Sequence, residues 1–382
     1  MATLATAHAL LSASGSKRWL ACTPSARLEA TLPEQKRSKN AFDFSAEGTT
    51  AHALAEIKLL YHFGKIDTDE YNREYETIKQ TQYYNDDFEA HVDNYVLYVR
   101  SQVGDGDEPM FEQKTDFSDW VPEGFGTADV VILSKYKIRV IDLKFGAGIP
   151  VDAKDNPQLR LYALGAYSKF KELYPEIREV EYTIHQPRLN SITTDGTTLN
   201  KLIDWATFYV KPKAKRAWVG DGEFVAGDHC QFCRAKAQCR ARADFNTALA
   251  KMEFRDPPLL SDEEMSNVLD KAQDLKSWVG DVEDYALNKA VDTGDVPKGY
   301  KLTTTTTHRK ISDIALASEV LISKGIPKNE IWEQPKMKSI ASLEKLAAKG
   351  QIVTWLGDLV QRPEGSPKLV RDRAGNVGDD FK

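Results

Sequence analysis

Two groups of residues have types and spacings suited to chemistry. The first is Asp129, Asp142 and Lys144. Residues 126–146, GTADVVILSKYKIRVIDLKFG, read as two β-branched strands joined by a turn at Ser134–Tyr136. Alternate strand residues point to one face, so Asp142 and Lys144 project together. The hairpin brings Asp129 near Asp142. A carboxylate in an apolar strand is costly unless it is paired or bound to a cation. A lone D-x-K in a strand is ordinarily a salt bridge, Asp142–Lys144 or Asp129–Lys144. The set also suits phosphodiester hydrolysis. Two carboxylates can hold Mg²⁺ or Mn²⁺ through oxygen. Such a metal lowers the pKa of water and stabilises attacking and leaving oxygens. Lys144 would orient the water or offset transition-state charge. His52, on a predicted helix, could add an imidazole, although a single helical His is more often core or surface. Gln158 and Tyr162, four apart on the following helix, share a face. Taken alone, that pair reads equally well as packing.

The second group is CQFCRAKAQC, with Cys230, Cys233 and Cys239 in the spacing C-x2-C-x5-C. A structural zinc takes four ligands, and so does a cubane iron–sulfur cluster. The sequence holds four cysteines, so the only remaining thiol is Cys22. Four cysteines in a long chain, three of them close together, point to metal or redox chemistry in a reducing compartment, and so to the cytoplasm. Zinc and a cluster are both open at this point.

The elements that must position these residues follow from periodicity. The chain has 382 residues, 41% hydrophobic and 28% charged, an ordinary globular composition. No apolar run is long enough for a membrane span. The start, MATLATAHALLSASGSKRW, lacks the basic n-region of a secretory signal and reads as folded protein. Residues 8–32 read as helical, with Ser12, Ser14 or Ser16 as cap and a break at Cys22-Thr23-Pro24. Residues 45–63 and 85–103 are predicted helices, and 110–117 a strand. Residues 156–173 form a helix capped by Asn156 with Pro157 first, and 179–189 a strand. This order gives an α/β fold with a central sheet flanked by helices. Residues 1–250 form the expected first domain, 251–260 a linker, and 261–382 an α-rich C-terminal region of unassigned role. In that region a long helix over 261–291 opens on a Ser261/Glu264 capping box. Residues 300–311 read as a strand, two short helices follow, and the tail from Gly365 reads as frayed. Packing on the core, a homo-oligomer contact and a partner contact all suit the long helix, with packing as the default.

Net charge is −6, which disfavours a nucleic-acid binder only weakly because the charge is uneven. Residues 67–95 hold nine Asp/Glu against two Lys/Arg. Residues 211–242 hold eight Lys/Arg against three acids. A local basic face can bind phosphate on an acidic chain.

In order, Gly48-x3-His52, Gly126-Thr-Ala-Asp129, Asp142-Leu-Lys144 and Gln158-x3-Tyr162 resemble the RecB-like branch of the PD-(D/E)xK nucleases. One cysteine before the nuclease motifs and three after them resemble its iron–sulfur members, the AddB-type domains and the cluster-bearing CRISPR adaptation nucleases. LSASGSKRWLACTPSARLE is similar to their S-x-S…C-P segment, except that Thr23 separates Cys22 from Pro24. The match is strongest over residues 8–242. The whole chain is similar to phage-encoded exonucleases of this branch. The resemblance implies a restriction-endonuclease-like core with a mixed sheet. It implies His52, Asp129, Asp142 and the carbonyl of Leu143 as ligands of Mg²⁺ or Mn²⁺, with Lys144 catalytic. Gln158, Tyr162 and the weaker Glu112 would support DNA or the active site. It implies a [4Fe–4S] cluster on Cys22, Cys230, Cys233 and Cys239, with Zn²⁺ as the alternative.

The expected activity is a metal-dependent DNA exonuclease acting on single- or double-stranded ends. By the resemblance it would serve phage recombination or end resection beside a single-strand annealing protein, in a host cytoplasm. The competing expectation is a non-catalytic DNA-end-binding or scaffold protein on the same fold.

Overall fold

The computed structural model describes residues 9–33, 43–148, 150–250, 262–304, 310–333, 336–337, 339–343, 351–361 and 367–371. The chain divides into two compact units, Met1–Pro258 and Leu259–Lys382.

The first unit begins with α1 (Ser16–Ala21) and α2 (Ser25–Thr31), broken at Cys22–Pro24 where proline cannot continue the first helix. Next come α3 (Phe44–His62), α4 (Thr68–Lys79) and α5 (Asp86–Ser101). Each opens on a side-chain cap. Asp43 accepts from the Ser45 and Ala46 amides, Asp67 from Glu70, and Asn85 from Phe88. Helix α4 was not foreseen; its apolar stripe is thin, with only Ile78 buried.

Strands β1 (Glu108–Asp116), β2 (Phe125–Leu133) and β3 (Lys137–Leu143) form an antiparallel meander. Helix α6 (Pro157–Phe170) then crosses over to β4 (Glu179–Gln186), which runs parallel to β3. Strand β5 (Ser191–Thr198) closes the edge in antiparallel register. The result is a five-stranded mixed sheet in order β1-β2-β3-β4-β5 flanked by helices, so the expected central mixed sheet is present. Strand β5 was not foreseen, because its Ser/Thr/Asp/Gly sequence is half-exposed and carries little apolar alternation.

The sheet separates two cores. Val130, Ile132, Ile141 and Leu143 pack with α3 and α5 residues such as Leu54, Val92 and Tyr95. Val131, Leu133, Ile138 and Val140 pack with α6 and α1 residues such as Leu161 and Trp19. The strict alternation leaves Asp142, in phase with Ile138 and Val140, toward the α6 side. Close approach of α6 to the sheet requires glycine. A Cβ on Gly165 would stand 2.6 Å from the Thr115 side chain, and one on Gly126 would stand 2.9 Å from the Tyr162 ring.

After β5 come α7 (Leu199–Asp204), a π-helical turn (Trp205–Val210), α8 (Lys211–Val219) and α9 (Arg240–Ala250).

In the second unit, α10 (Asp262–Thr293) is the expected long helix. Its expected cap Ser261, and the expected linker 251–260, lie outside the described residues. Strands β6 (Tyr300–Thr304) and β7 (Lys310–Ile311) replace the single strand expected over 300–311. Helices Ile314–Ser323, Lys328–Ile331, Ile340–Leu343 and Gln351–Leu356 build a small core around Leu321, Ile331, Leu343 and Ile352. The tail expected to fray contains a strand instead: Pro367–Arg371 pairs antiparallel with β6. The short run Lys-Leu-Val-Arg carries it inside a Gly/Asp-rich stretch. Among the described residues, no helix is long and apolar enough to cross a membrane.

His185 on β4 is buried against the rings of Tyr95 and Tyr98, at centroid distances of 5.5 and 5.1 Å. Its Nδ1 has no hydrogen-bond partner. Burial pushes its pKa down to about 4, against 6.5 when unfolded. The unfolded chain therefore binds more protons below pH 6.5. Stability from the neutral imidazole is complete above that pH and is lost as pH falls toward 4, by on the order of 2–3 kcal/mol. Thermal unfolding followed from pH 7 to 4.5 should fall more steeply for the wild type than for His185→Phe. Parallel slopes would refute this account.

Candidate active site

The site stands at the carboxyl end of β3, beside the α6 crossover. Parallel β-α-β units commonly bind ligands at this end. The hairpin register puts Asp129 and Asp142 directly across from each other, since Val130 pairs with Ile141. Asp129 Oδ2 accepts a hydrogen bond from the Leu143 amide at 2.7 Å. Helix α3 delivers His52, whose Nδ1 lies 3.3 Å from Asp129 Oδ1 and 3.9 Å from Glu112 Oε1. Ligand atoms of His52, Glu112 and Asp129 all lie within 4.8 Å of one another. Leu143 lines the same small cavity, together with Glu56 and Tyr95.

Glu112 occupies β1 opposite Asp129, between the pairs Phe111–Val130 and Gln113–Ala128. Its φ is +43°, in the left-handed region that non-glycine residues seldom adopt. Such strain costs on the order of 1–3 kcal/mol and gathers at ligand sites.

Asp142 stands beside this trio rather than within its 4.8 Å set. Lys144 Nζ lies 2.8 Å from its Oδ2, and Gln158 Nε2 donates to its Oδ1 at 3.0 Å. Lys144 Nζ also donates to Gln158 Oε1 at 3.2 Å, and Gln158 Nε2 to the Tyr162 hydroxyl at 3.2 Å. The Asp142–Lys144 salt bridge expected on general grounds is therefore formed. Gln158 and Tyr162 join the cluster; they are not merely packing.

Crowded carboxylates set the electrostatics. Burial, together with the Asp129 carboxylate, pushes Glu112 up to about 7. Burial also raises Asp142; Lys144 opposes the rise and Asp129 adds to it. Burial alone would lower His52, but Asp129, Asp142 and Glu112 outweigh it and lift the imidazole to about 9. Burial likewise opposes the Lys144 charge, and Asp142 and Asp129 hold the amine protonated. Oxygen donors with one imidazole form a set suited to a hard divalent cation, which would relieve this repulsion.

Tyr95 lies on α5, within the helix predicted over 85–103. It is 1% exposed, its hydroxyl lacks a hydrogen-bond partner, and Asp129, Asp142 and Glu112 add to burial in raising its pKa. Its spacing gave no signal beyond packing.

The cysteines form a second centre. Cys22, Cys230, Cys233 and Cys239 line one cavity, with Arg18, His229 and Arg242 also on its wall. No three of their sulfurs lie within 4.8 Å of one another. Burial pushes the Cys233 thiol up to about 12. Polar links tie the same two segments together. Glu29 pairs with Arg18 at 2.5 Å and accepts from the Arg234 amide at 2.6 Å. Lys213 donates to the Leu20 carbonyl at 2.8 Å, and Thr23 to that of Asp221 at 2.6 Å. Several of the basic residues counted over 211–242 are thus engaged inside the fold.

Comparison with known proteins adds two findings. A family described as protein of unknown function (DUF2800) matches residues 8–374. Among solved structures, the crystal structure of SSO0001 matches with 14% identity and a TM-score of 0.24, covering 57% of this chain and 94% of that one.

Unfolding returns Glu112 to an ordinary carboxylate range near 4.5. Its ionised form therefore opposes folding once pH exceeds that value, and does so fully above about 7. In EDTA at pH 8, Glu112→Gln should be more stable than the wild type by on the order of 1–2 kcal/mol, discounted for partial exposure. The gain should vanish near pH 4.5. A variant less stable than the wild type at pH 8 would refute carboxylate crowding.

Proposed function

We propose that this chain, which belongs to the DUF2800 family, is a divalent-metal-dependent DNA exonuclease on a restriction-endonuclease-like core. The observation that carries the reading is the juxtaposition of His52, Glu112 and Asp129 within 4.8 Å, next to the Asp142–Lys144–Gln158–Tyr162 chain. His52, Asp129 and Asp142 would hold Mg²⁺ or Mn²⁺, with the carbonyl of Leu143 and with Glu112 as a further carboxylate. A metal there would supply Lewis-acid activation of water and neutralise charge at the scissile phosphate. Asp129 is fixed by the Leu143 amide, so its outer oxygen is presented without rotation. Lys144, held protonated between Asp142 and Gln158, faces the developing negative charge. Gln158 orients Asp142 and Lys144 together, and Tyr162 fixes the amide of Gln158. In end resection the product would pass to a single-strand annealing partner.

The same reading gives the four cysteines a [4Fe–4S] cluster. Sulfurs on a tetrahedral zinc stand about 3.8 Å apart, given Zn–S bonds of about 2.3 Å. The four thiols line one cavity, as a shared inorganic core would require. It would close α1 and α2 onto the end of the unit, beside the Glu29 links.

End-labelled linear DNA, incubated with Mg²⁺ or Mn²⁺ and resolved by 5′ and 3′ label, tests the activity. Asp142→Ala and Lys144→Ala should each lose at least about a hundredfold in rate, and Gln158→Ala about 10–100-fold. Equal degradation by wild type and Asp142→Ala removes the proposal. Tight end binding with no cleavage under either metal would instead favour the non-catalytic protein.

Anaerobically purified protein should be brown and carry iron and sulfide. Cys22→Ala should lose the cluster as fully as Cys233→Ala and lower the melting temperature. Full iron occupancy in Cys22→Ala, or colourless wild type with stoichiometric zinc, sinks the four-thiolate cluster.

A further inference from the structure

The π-helical turn Trp205–Val210 runs directly into α8, and the two share one buried edge: Ala206, Val210, Ala214 and Ala217. A π-turn widens the helix and re-aims side chains, often at functional sites. Here it turns Phe208 and Tyr209 outward, 77% and 45% exposed. An exposed aromatic ring offers a flat apolar face on which another ring can stack.

The surrounding charge selects the ligand. From Trp205 to Val219 there are four cations, Lys211, Lys213, Lys215 and Arg216, and no acid. Lys211 and Lys215 are exposed, four residues apart, and without ion-pair partners among the described residues. Lys213 sits 4.4 Å over the Tyr209 ring and donates to its hydroxyl at 3.1 Å, holding that ring in place. Trp205 also stacks against Tyr209, at 6.4 Å between centroids.

The ridge also connects with the site. A cleft of about 1150 Å³ extends from Glu112 and Tyr162 past Ser118 and Asp119. The next residue, Trp120, donates from Nε1 to Thr207 Oγ1 at 3.3 Å, in the π-turn itself. The residue after the cleft wall thus bonds directly to the π-turn that carries Phe208.

We propose that Phe208, beside the Trp205–Tyr209–Lys213 stack, is a stacking face for an unpaired base of single-stranded DNA, with Lys211 and Lys215 taking its phosphates. Sequence-independent single-strand sites combine these parts: aromatic faces for bases and cations along the backbone. The inference rests on the nuclease reading for its choice of DNA, but its test does not require cleavage.

Binding of a fluorescein-labelled oligo-dT to the full chain in EDTA is measured by anisotropy, alongside a blunt duplex. Phe208→Ala, a change at an exposed ring, should weaken oligo-dT binding about tenfold. Its blunt-duplex affinity should stay within about twofold. Lys211→Gln/Lys215→Gln should reduce the salt slope of oligo-dT binding by about 1.4. Unchanged oligo-dT affinity in Phe208→Ala overturns the platform, as does an equal loss for blunt duplex. Loss of a wild-type dimer in Phe208→Ala without loss of DNA affinity also overturns it, by making the ridge a contact between copies. Wild type that binds oligo-dT through Phe208 but cleaves nothing would sink the nuclease reading and leave the platform standing.

Discussion

The constraint on which the site depends is the crowding of three carboxylates at one end of the sheet. Glu112, Asp129 and Asp142 come from adjacent strands, and the register fixes them opposite one another. Asp142, 2% exposed, is tolerated only because Lys144 and Gln158 occupy its oxygens. Asp129 is tolerated because the Leu143 amide and His52 meet it. Glu112 has the weakest compensation, with His52 at 3.9 Å and a left-handed backbone. Its raised pKa follows from that position. A set of acids held together against their own repulsion is a store of binding energy for a cation.

Helix α6 makes this arrangement possible. It must lie close enough to the sheet for Gln158 to reach both Asp142 and Lys144. Gly165 removes the Cβ that would strike Thr115, and Gly126 leaves room for the Tyr162 ring. The glycine of Gly-Thr-Ala-Asp and the tyrosine of the Gln-x3-Tyr segment thus serve one contact. Two motifs far apart in the chain are halves of a single packing requirement.

Legibility followed the same physics. The strands carrying Asp129 and Asp142 were readable because β-branched runs leave few alternatives, and α6 because Asn156 and Pro157 mark its start. The pairing of Asp142 with Lys144 followed from their two-residue spacing. Glu112 gave little sign of meeting His52 and Asp129, because its place there depends on cross-strand register and a positive φ. Tyr95 looked like any core aromatic; only its unpartnered hydroxyl beside the acids sets it apart. Strand β5 and helix α4 were hidden because their sequences are polar. The basic run over 211–242 suggested a phosphate-binding face, yet Arg234 and Lys213 donate to backbone carbonyls of α1 and of the residues just after α2.

That last point changes how the two ends of the first unit are held. Thr23, Arg27, Glu29 and Lys213 join α1 and α2 to the 211–239 segment through hydrogen bonds that involve no sulfur. Closure is therefore shared between a polar seam and the cysteine cavity. The seam brings Cys22 and the three later thiols to the walls of one cavity, although they come from remote parts of the chain. Cations consumed by the seam cannot also serve a surface. The exposed cations that the seam leaves include Lys211 and Lys215 on α8 and Arg240 at the start of α9. The uneven distribution seen in the sequence thus divides into a structural half and an exposed half.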